Sequence, residues 1–487
     1  MLVTYAIGSA GLLETSFALP VIQRELGLAN GDAQWIASSM ILIWGCFLLL
    51  AGRLCDILGR KRGLLLGLVG HLVVSLITAF MPNLATINVF RALTGVCLAI
   101  MYPAAAGIIG TLYPAGRPRT LAFVGITCGG AAGAAGGELL AGIFIEYFKW
   151  TWRACYASLA IMSVLPLVIV YFIVPADPPL ETLTAMRQVD WLGAGLLGTS
   201  LFLVLLTLTI AQTAAKGWKV PYLPALLVVA AVLLVGFILR QRQLSRCAGQ
   251  VDNRKPPPII PSTLLTRKNR NIIAIYLAAV ATWANTDSVF VGISYLYFDI
   301  LEMRPLEAGL KFSVTFFSGT MAAIVVAVTI SRVPPRLLMF LCCLISTVTP
   351  ILFAIRGVDW AYWKADLWAF LIIAYGSDAI IAAGSTIISH TAAPEDQSVA
   401  SGTSMPLNTD SAIFQTSCRL GFAVGLALAT LVRDSVQKSA ERSFGSELNA
   451  EQQREAVLRG LRGFFWMCAG YMVLGEDVRS SADVKPA

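Results

Sequence analysis

Among the ionisable residues inside long apolar stretches of this 487-residue chain, five stand out: Glu14, Arg91, Glu138, Asp287 and Asp378. In hydrocarbon such a group costs free energy unless it is paired or faces a polar cavity, so each is a candidate for proton or ion chemistry. Asp287 and Asp378 fall near the middle of their stretches. A carboxyl there can stay neutral while dry and ionise when water enters, which is what carrying a proton requires. The same two residues can instead serve as helix–helix hydrogen-bonding groups. Glu14 and Arg91 lie roughly 9–12 Å from the same end of their stretches, at 1.5 Å per helical residue, and so share a depth at which each can neutralise the other. Arg91 can alternatively snorkel to the interface. Glu138, after Gly136-Gly137, reads equally as an interfacial carboxylate. Arg419 can pair with Asp410, and His71 reads as a satisfied polar residue rather than a relay. Trp283, Tyr276, Tyr295 and Tyr297 offer stacking faces for an aromatic substrate, or belong to interfacial belts.

Only membrane spans can hold these residues in place. The chain is 57% hydrophobic and 13% charged, with a mean hydropathy of +0.74. Soluble domains carry about 25% charged residues. The composition is that of an all-α polytopic membrane protein. Fourteen apolar runs approach the roughly 20 residues that cross a bilayer: near 2–22, 33–53, 63–82, 85–106, 118–144, 152–174, 190–211, 222–239, 271–296, 306–330, 335–355, 365–388, 398–432 and 460–475. An even number puts both termini on one side. The opening run has no basic n-region and no cleavage site, so it reads as the first span rather than a signal peptide, with the chain beginning almost inside it. The ten cysteines show no CxxC or Cys/His metal spacing, and the two histidines, His71 and His390, are far apart. No disulfide framework, metal or cofactor is implied. There is no phosphate-binding loop and no nucleophile–base pair, so the residues point away from an enzyme.

The densest charge pattern is Gly52-Arg53-Leu54-Cys55-Asp56-Ile57-Leu58-Gly59-Arg60-Lys61-Arg62, between the second and third runs. Four bases mark it as cytoplasmic. Its glycines allow a sharp turn and close helix approach, and Asp56, the lone acid, is expected to be paired. With the N-terminus inside, short inner loops and the C-terminal tail hold 19 Lys and Arg against nine outside. The net charge of +8 is therefore a topology signal and not a sign of nucleic-acid binding. The stretch 240–270 carries eight bases and Pro256-Pro257-Pro258. It reads as a basic loop at the anionic inner leaflet and as the boundary between two halves. The expected division is 1–174, a two-helix linker 175–240, the loop 241–270, a second bundle 271–475 and a tail 476–487. Segment 433–462 falls outside, with Glu451–Arg462 expected as a short polar helix. No internal repeat is visible; Ser331–Arg336 is a degenerate echo of the charged turn at best.

The pattern G-x-L-x-D-x-x-G-R-K-R resembles the signature loop between spans 2 and 3 of the major facilitator superfamily. Further stretches are similar to that family. Asp32-Ala33-Gln34-Trp35 resembles the opening of span 2, with Asp32 as a cap. Arg91-Ala92-Leu93-Thr94-Gly95 resembles the span-4 motif. Arg304-Pro305-Leu306-Glu307-Ala308-Gly309-Leu310 resembles the start of span 10, with Pro305 and Glu307 suited to a helix N-terminus. Pro394-Glu395-Asp396-Gln397 with Ala400-Ser401-Gly402 resembles the entry to span 13. Gly129 to Gly137 keeps the small residues of the span-5 antiporter motif without its proline, and about nine extra residues lie around Thr403–Asp410, where Met405–Asp410 suits a membrane helix poorly. Nearly the whole chain resembles the fungal-type fourteen-span drug:proton antiporter branch.

That resemblance implies two six-helix bundles separated by an extra helix pair, and alternating access. It implies proton-coupled export of small organic compounds, as in multidrug or toxin efflux. The implied partners are a small-molecule substrate, protons and the lipid bilayer, with no nucleic acid, for a monomer. The implied site is the plasma membrane, with the vacuolar membrane as the alternative, and both termini are cytoplasmic. Gly52, Asp56, Gly59, Arg60, Lys61 and Arg62 take the gating role, Asp56 docking against a cytoplasmic helix end. Glu14, Arg91, Glu138, Asp287 and Asp378 take proton coupling, and Gly95, Gly133, Gly136 and Gly137 take helix packing. The rival readings are an importer or siderophore-type carrier on the same fold, and a non-transporting sensor or decayed paralogue. Topology is tested by cysteine labelling from outside in a background lacking the native cysteines. Label is expected at position 447 and not at 254; the reverse pattern contradicts the orientation.

Overall fold

The computed structural model describes residues 1–28, 30–113, 117–177, 190–213, 220–247, 270–329, 332–381, 406–444 and 449–480. The described chain is helical throughout, as lipid requires of any open chain that must satisfy its own backbone polar groups. The helices are α1 (Leu2–Glu25), α2 (Asn30–Leu58), α3 (Arg60–Thr78), α4 (Leu84–Leu112), α5 (Arg117–Tyr147), α6 (Trp152–Ile173), α7 (Trp191–Thr213) and α8 (Leu223–Cys247). After them come α9 (Arg270–Tyr295), ending in a π turn Leu296–Ile300, then α10 (Pro305–Phe312), α11 (Thr315–Thr329), α12 (Pro335–Ile355), α13 (Asp366–Ile372), α14 (Pro406–Phe444) and α15 (Ala450–Ser480). Among the described residues, twelve spans are long and apolar enough to cross a membrane, α10 and α11 making one between them. Two more expected spans complete the fourteen. That at 365–388 is described to Ile381, where helix resumes over 374–381 after a turn at Ile373. That at 460–475 lies inside the longer α15.

Several local expectations are met or revised. Pro305 opens α10 with Glu307 in its first turn. Helix α2 begins at Asn30, so Asp32 sits in the first turn instead of capping it. Residues 406–410 form the first turn of α14, a helical course the sequence did not suggest for them. Segment 433–462 is not a loop with one short helix. α14 continues to Phe444 and α15 starts at Ala450, because the two helices stay packed there, Gly460 against Arg433 and Gly463 against Val436. Arg454 also donates to the carbonyl of Ile300 at 2.6 Å.

The repeat that the sequence hides is visible in the packing. In the first half α1 packs on α5 and α6, and α3 on α4 and α6. In the second half α9 packs on α14 and α15, and α12 on α13 and α15. Within each half the first span therefore meets the fifth and sixth, and the third meets the fourth and sixth. The halves join reciprocally, α5 on α10 and α11, and α2 on α14. Each contact sets the fifth span of one half on the second span of the other, as a pseudo-twofold axis demands.

Glycines make the first–fifth crossings. A Cβ on Gly133 would strike the backbone of Ala6, and one on Gly137 the backbone of Ala10. In the second half Gly421 and Gly425 meet Val280 and Ala284 in the same way. Positions four apart share a helix face, so each pair lays one backbone along another. Gly95 lets α4 touch the α2 backbone at Met40 and Trp44. Gly136 faces open space.

One end of the interface is closed. Phe17 of α1 meets Phe298 and Phe312 edge-on at 5.3 and 5.4 Å. Gly142 of α5 lies against Pro305 and Leu306, and Gly309 of α10 against the Glu138 backbone. Beside this plug a buried ion pair is bonded through both carboxylate oxygens. Arg356 donates to Asp366 at 2.6 and 3.1 Å, and the Tyr297 hydroxyl donates to the same carboxylate at 2.9 Å. The extra pair α7–α8 packs on α2 and α14. Buried Asp190 fixes its hairpin by accepting from the Gly193 amide at 3.0 Å and Gln241 at 3.0 Å, with Arg240 at 3.4 Å.

Substituting the glycines separates contact from composition. Gly133→Ala is expected to lose about 2 kcal/mol or more through forced backbone movement, seen as a lower unfolding temperature in detergent. Gly136→Ala is expected to be neutral or slightly stabilising. Equal losses at the two sites would contradict the crossing.

Candidate functional site

A cavity of about 130 Å³ lies between the halves. The first half contributes Tyr5, Trp44, Tyr102 and Ala131, and the second Trp283, Asp287, Asp378 and Arg419. Two interrupted spans border it. α10 gives way to α11 at Ser313-Val314, and the helix through α13 breaks at Ile373. Thr315, Ile373 and Ala374 line the wall at these breaks. The freed amide of Ala374 donates to Ser318 Oγ at 3.2 Å, tying the broken spans together. Interrupted helices beside a midplane cavity supply backbone groups that continuous helices keep to themselves.

The charges in the wall are incompletely bonded. Asp378 is buried, and its Oδ2 has no hydrogen-bond partner among the described residues. It sits where α11 passes closely, 3.5 Å from the Cβ position of Gly319, within electrostatic reach of Cys128 on α5 and Cys342 on α12. Asp287 Oδ2 likewise has no partner, and the Arg419 charge acts on this group. The Arg419 guanidinium lies 4.0 Å from the Trp44 ring and 5.3 Å from the Trp283 ring. It thereby bridges the two halves through cation–π contact, which gains strength away from water. The Asp410 side chain, suggested as its partner, lies outside the described residues.

Glu14 and Arg91 are both buried but form no ion pair. Arg91 donates to the carbonyls of Ile36 at 3.1 Å and Gly11 at 3.3 Å, and lies 5.6 Å from the Tyr156 ring. It thus ties α4 to α2 and α1. Glu14 accepts from Ser158 of α6 at 3.3 Å, and the Arg91 charge reaches it without direct contact. The equal depth read from sequence is compatible with this, but carbonyls, not the carboxylate, satisfy the arginine. His71 is held through Nδ1 by Ser163 at 2.9 Å, but its buried Nε2 has no partner among the described residues, so the expected satisfied residue is only half satisfied. Glu138 is buried at the α5–α10 contact with both carboxylate oxygens unpartnered among the described residues. It lies one turn beyond Ala134, which lines the cavity. Of the four aromatic residues weighed, Trp283 faces the cavity. Tyr297 belongs to the Asp366 ion pair, and Tyr295 lies under Arg433.

The charged turn is built by Gly59, the single residue between α2 and α3, at φ +101°. A side chain there would be strained and would strike Asp177. Asp177 caps α3, accepting from the amides of Lys61 at 3.1 Å and Arg62 at 2.8 Å. Lys61 Nζ donates to the carbonyls of Tyr171 and Val174, at the C-terminal end of α6, at 2.8 and 2.6 Å. Arg60 donates to the Gly107 carbonyl of α4 at 2.8 Å. Gly52 is buried. The Asp56 side chain lies outside the described residues, as does most of the basic loop, residues 248–269. Sequence reading missed Asp177 and Asp190, each an acid beside a helix start, and the placing of Trp44 and Arg419 together.

Comparison with known proteins agrees with this architecture. The model of the Major Facilitator Superfamily matches residues 1–425. The chain is 26% identical to an uncharacterised MFS-type transporter of Schizosaccharomyces pombe, over 96% of this chain and 83% of that protein. It is 26% identical to the aminotriazole resistance protein of Saccharomyces cerevisiae, over 82% of this chain and 71% of that protein. Among solved structures, the human organic anion transporter MFSD10 superposes with a TM-score of 0.63 at 13% identity, covering 98% of both chains. A family match over most of the chain, a shared fold, and a cavity between two pseudo-symmetric six-helix bundles lead to one conclusion: the chain belongs to the major facilitator superfamily of multi-pass membrane transporters.

Proposed function

We propose that this transporter exports small organic compounds in exchange for protons, by alternating access around the cavity between its halves. One observation carries the reading: two carboxylates with buried oxygens unpartnered among the described residues, Asp287 and Asp378, belong to the lining of a cavity that touches both halves. A carboxyl that can hold either a proton or a polar substrate, but not both, makes the two compete, and a proton gradient then drives substrate the other way. The resistance named for the Saccharomyces relative is consistent with export. Glu14 and Glu138 are secondary proton-coupling candidates. Arg91 serves them by holding α1, α2 and α4 in register. The turn at Gly59, with Arg60, Lys61 and Arg62, stiffens the end opposite the aromatic plug. A monomer in the plasma membrane with both termini in the cytoplasm is the working arrangement.

The test is a resistance screen of cells overexpressing the protein, followed by efflux of a selected compound at two external pH values. Asp378→Asn and Asp287→Asn are expected to leave protein level normal and to reduce pH-driven efflux about tenfold or more, in the range of ordinary coupling energies. Glu14→Gln is expected to weaken the pH dependence while sparing folding, since Ser158 can bond either form. Full, normally pH-dependent efflux in both aspartate variants would contradict proton coupling through the cavity, and accumulation instead of loss would reverse the direction.

A further inference from the structure

Two helices run on past the bilayer at the plugged end. α14 has 39 residues and α15 has 31. At 1.5 Å per residue these are roughly 58 and 46 Å long, against a hydrocarbon core of about 30 Å. Part of the surplus, from Arg433 to the end of α14 and from Ala450 at the start of α15, stays packed as a hairpin, Gly460 against Arg433 and Gly463 against Val436. Lys438, Glu441, Arg442 and Glu455 make this hairpin too charged for hydrocarbon, so it projects from the membrane.

The hairpin holds one turn of α9. That helix ends in the π turn Leu296–Ile300, whose Phe298 meets Phe17 of the other half in the plug. π turns are rare in helices and fall mostly at functional sites. The Arg433 guanidinium lies 4.7 Å from the ring of Tyr295, on the near flank of Phe298, and its charge acts on Asp299. On the far flank Arg454 donates to the Ile300 carbonyl at 2.6 Å. Leu458 and Leu461 of α15 share a buried cluster with Leu296, Ile300 and Phe17. The turn is thus fixed on both sides of Phe298 by arginines from outside its own helix. α14 also reaches the cavity. Arg419 precedes Arg433 by 14 residues, nearly four helical turns, so the two share a face. Each lies against a ring of α9, Arg419 on Trp283 at 5.3 Å and Arg433 on Tyr295. A tilt of α14 at the cavity wall therefore also moves its hold on the plug.

We infer that the α14–α15 hairpin is the strap of a gate at the plugged end, with Arg433 and Arg454 as the positioning residues that hold Phe298 against Phe17. While both contacts are made, the π turn cannot carry Phe298 away and that end stays shut. When α14 tilts, the hold on Tyr295 and Ile300 shifts and the plug parts. The strap works whatever compound crosses and whatever drives it, so it goes beyond the export reading and does not rest on it.

The test puts one reporter cysteine, Ser9→Cys, in the cavity lining of a full-length protein without its native cysteines. A membrane-impermeant maleimide is applied from each face, to intact cells and to inside-out vesicles, and the labelling rate is read. Arg433→Gln combined with Arg454→Gln is expected to raise the rate about tenfold, the usual effect of one hydrogen bond to a charged group. The rise is expected only from the face at which a cysteine at position 447 also labels. Arg442→Gln removes the same charge from an exposed position of the same hairpin and is expected to change nothing. Arg433→Lys keeps a cation over the Tyr295 ring and is expected to stay closed. If the double variant fails to fold, Arg454→Gln alone, which gives up a single bond, decides the matter with a rise of about threefold or more on that face. An unchanged rate, an equal rise from both faces, or an equal rise in Arg442→Gln overturns the inference. Labelling needs no substrate. A rise as expected, with no efflux in the resistance screen, leaves the strap standing and removes the export reading; efflux with an unchanged labelling rate does the reverse.

Discussion

Direct backbone contact between the first and fifth spans of each half is the constraint on which the rest of the arrangement depends. Lipid offers no hydrophobic drive for helices to associate, so affinity comes from closeness of packing. Gly133 and Gly137 on α5 bring it onto Ala6 and Ala10, and Gly421 and Gly425 on α14 bring it onto Val280 and Ala284. Once held there, α5 reaches α10 and α11, and α14 reaches α2. Both fifth spans therefore carry the junction between halves and also the cavity wall, through Ala131 and Arg419. A small tilt of either one must alter both together. That linkage is what rocking of two bundles around a central site needs.

Charges within the fold divide by their bonding. Away from the cavity they are mostly completed inside the protein: Arg91 on two carbonyls, Arg356 on Asp366, Asp190 on an amide, an amide side chain and an arginine. Such groups are costly to disturb and hold the helices in fixed relation. Around the cavity the pattern is the opposite. Asp287, Asp378 and Arg419 keep buried atoms without partners among the described residues, and Glu138, next along the closed contact, does the same. The bonded set builds the scaffold. The unbonded set is what a proton or ligand can address.

Much of this was legible in the sequence because membrane helices announce themselves by length and hydropathy. The apolar runs, the turn at Gly59, the N-terminus of α10 at Pro305 and the intramembrane placing of Glu14, Arg91 and Asp378 were readable in that way. Contacts between distant spans were not. Equal depth suggested that Glu14 and Arg91 would pair, but depth carries no azimuth, and Arg91 turns to carbonyls of α1 and α2. Gly136 sits in a glycine-rich run yet faces open space, since only one side of α5 crosses α1. The Trp44–Arg419–Trp283 stack joins residues hundreds of positions apart with no local signal. The repeat likewise survives in which spans touch, although the charged turn has no intact second copy.

The central claim is that substrate and proton compete for the same carboxylates in the cavity. The most direct measurement is the pH change when a compound identified by resistance is added to the purified protein in lightly buffered solution. The account predicts release of about one proton per bound molecule, with release lost in Asp378→Asn although the protein remains folded. Saturable binding with no proton released at any pH at which the protein stays folded would contradict it.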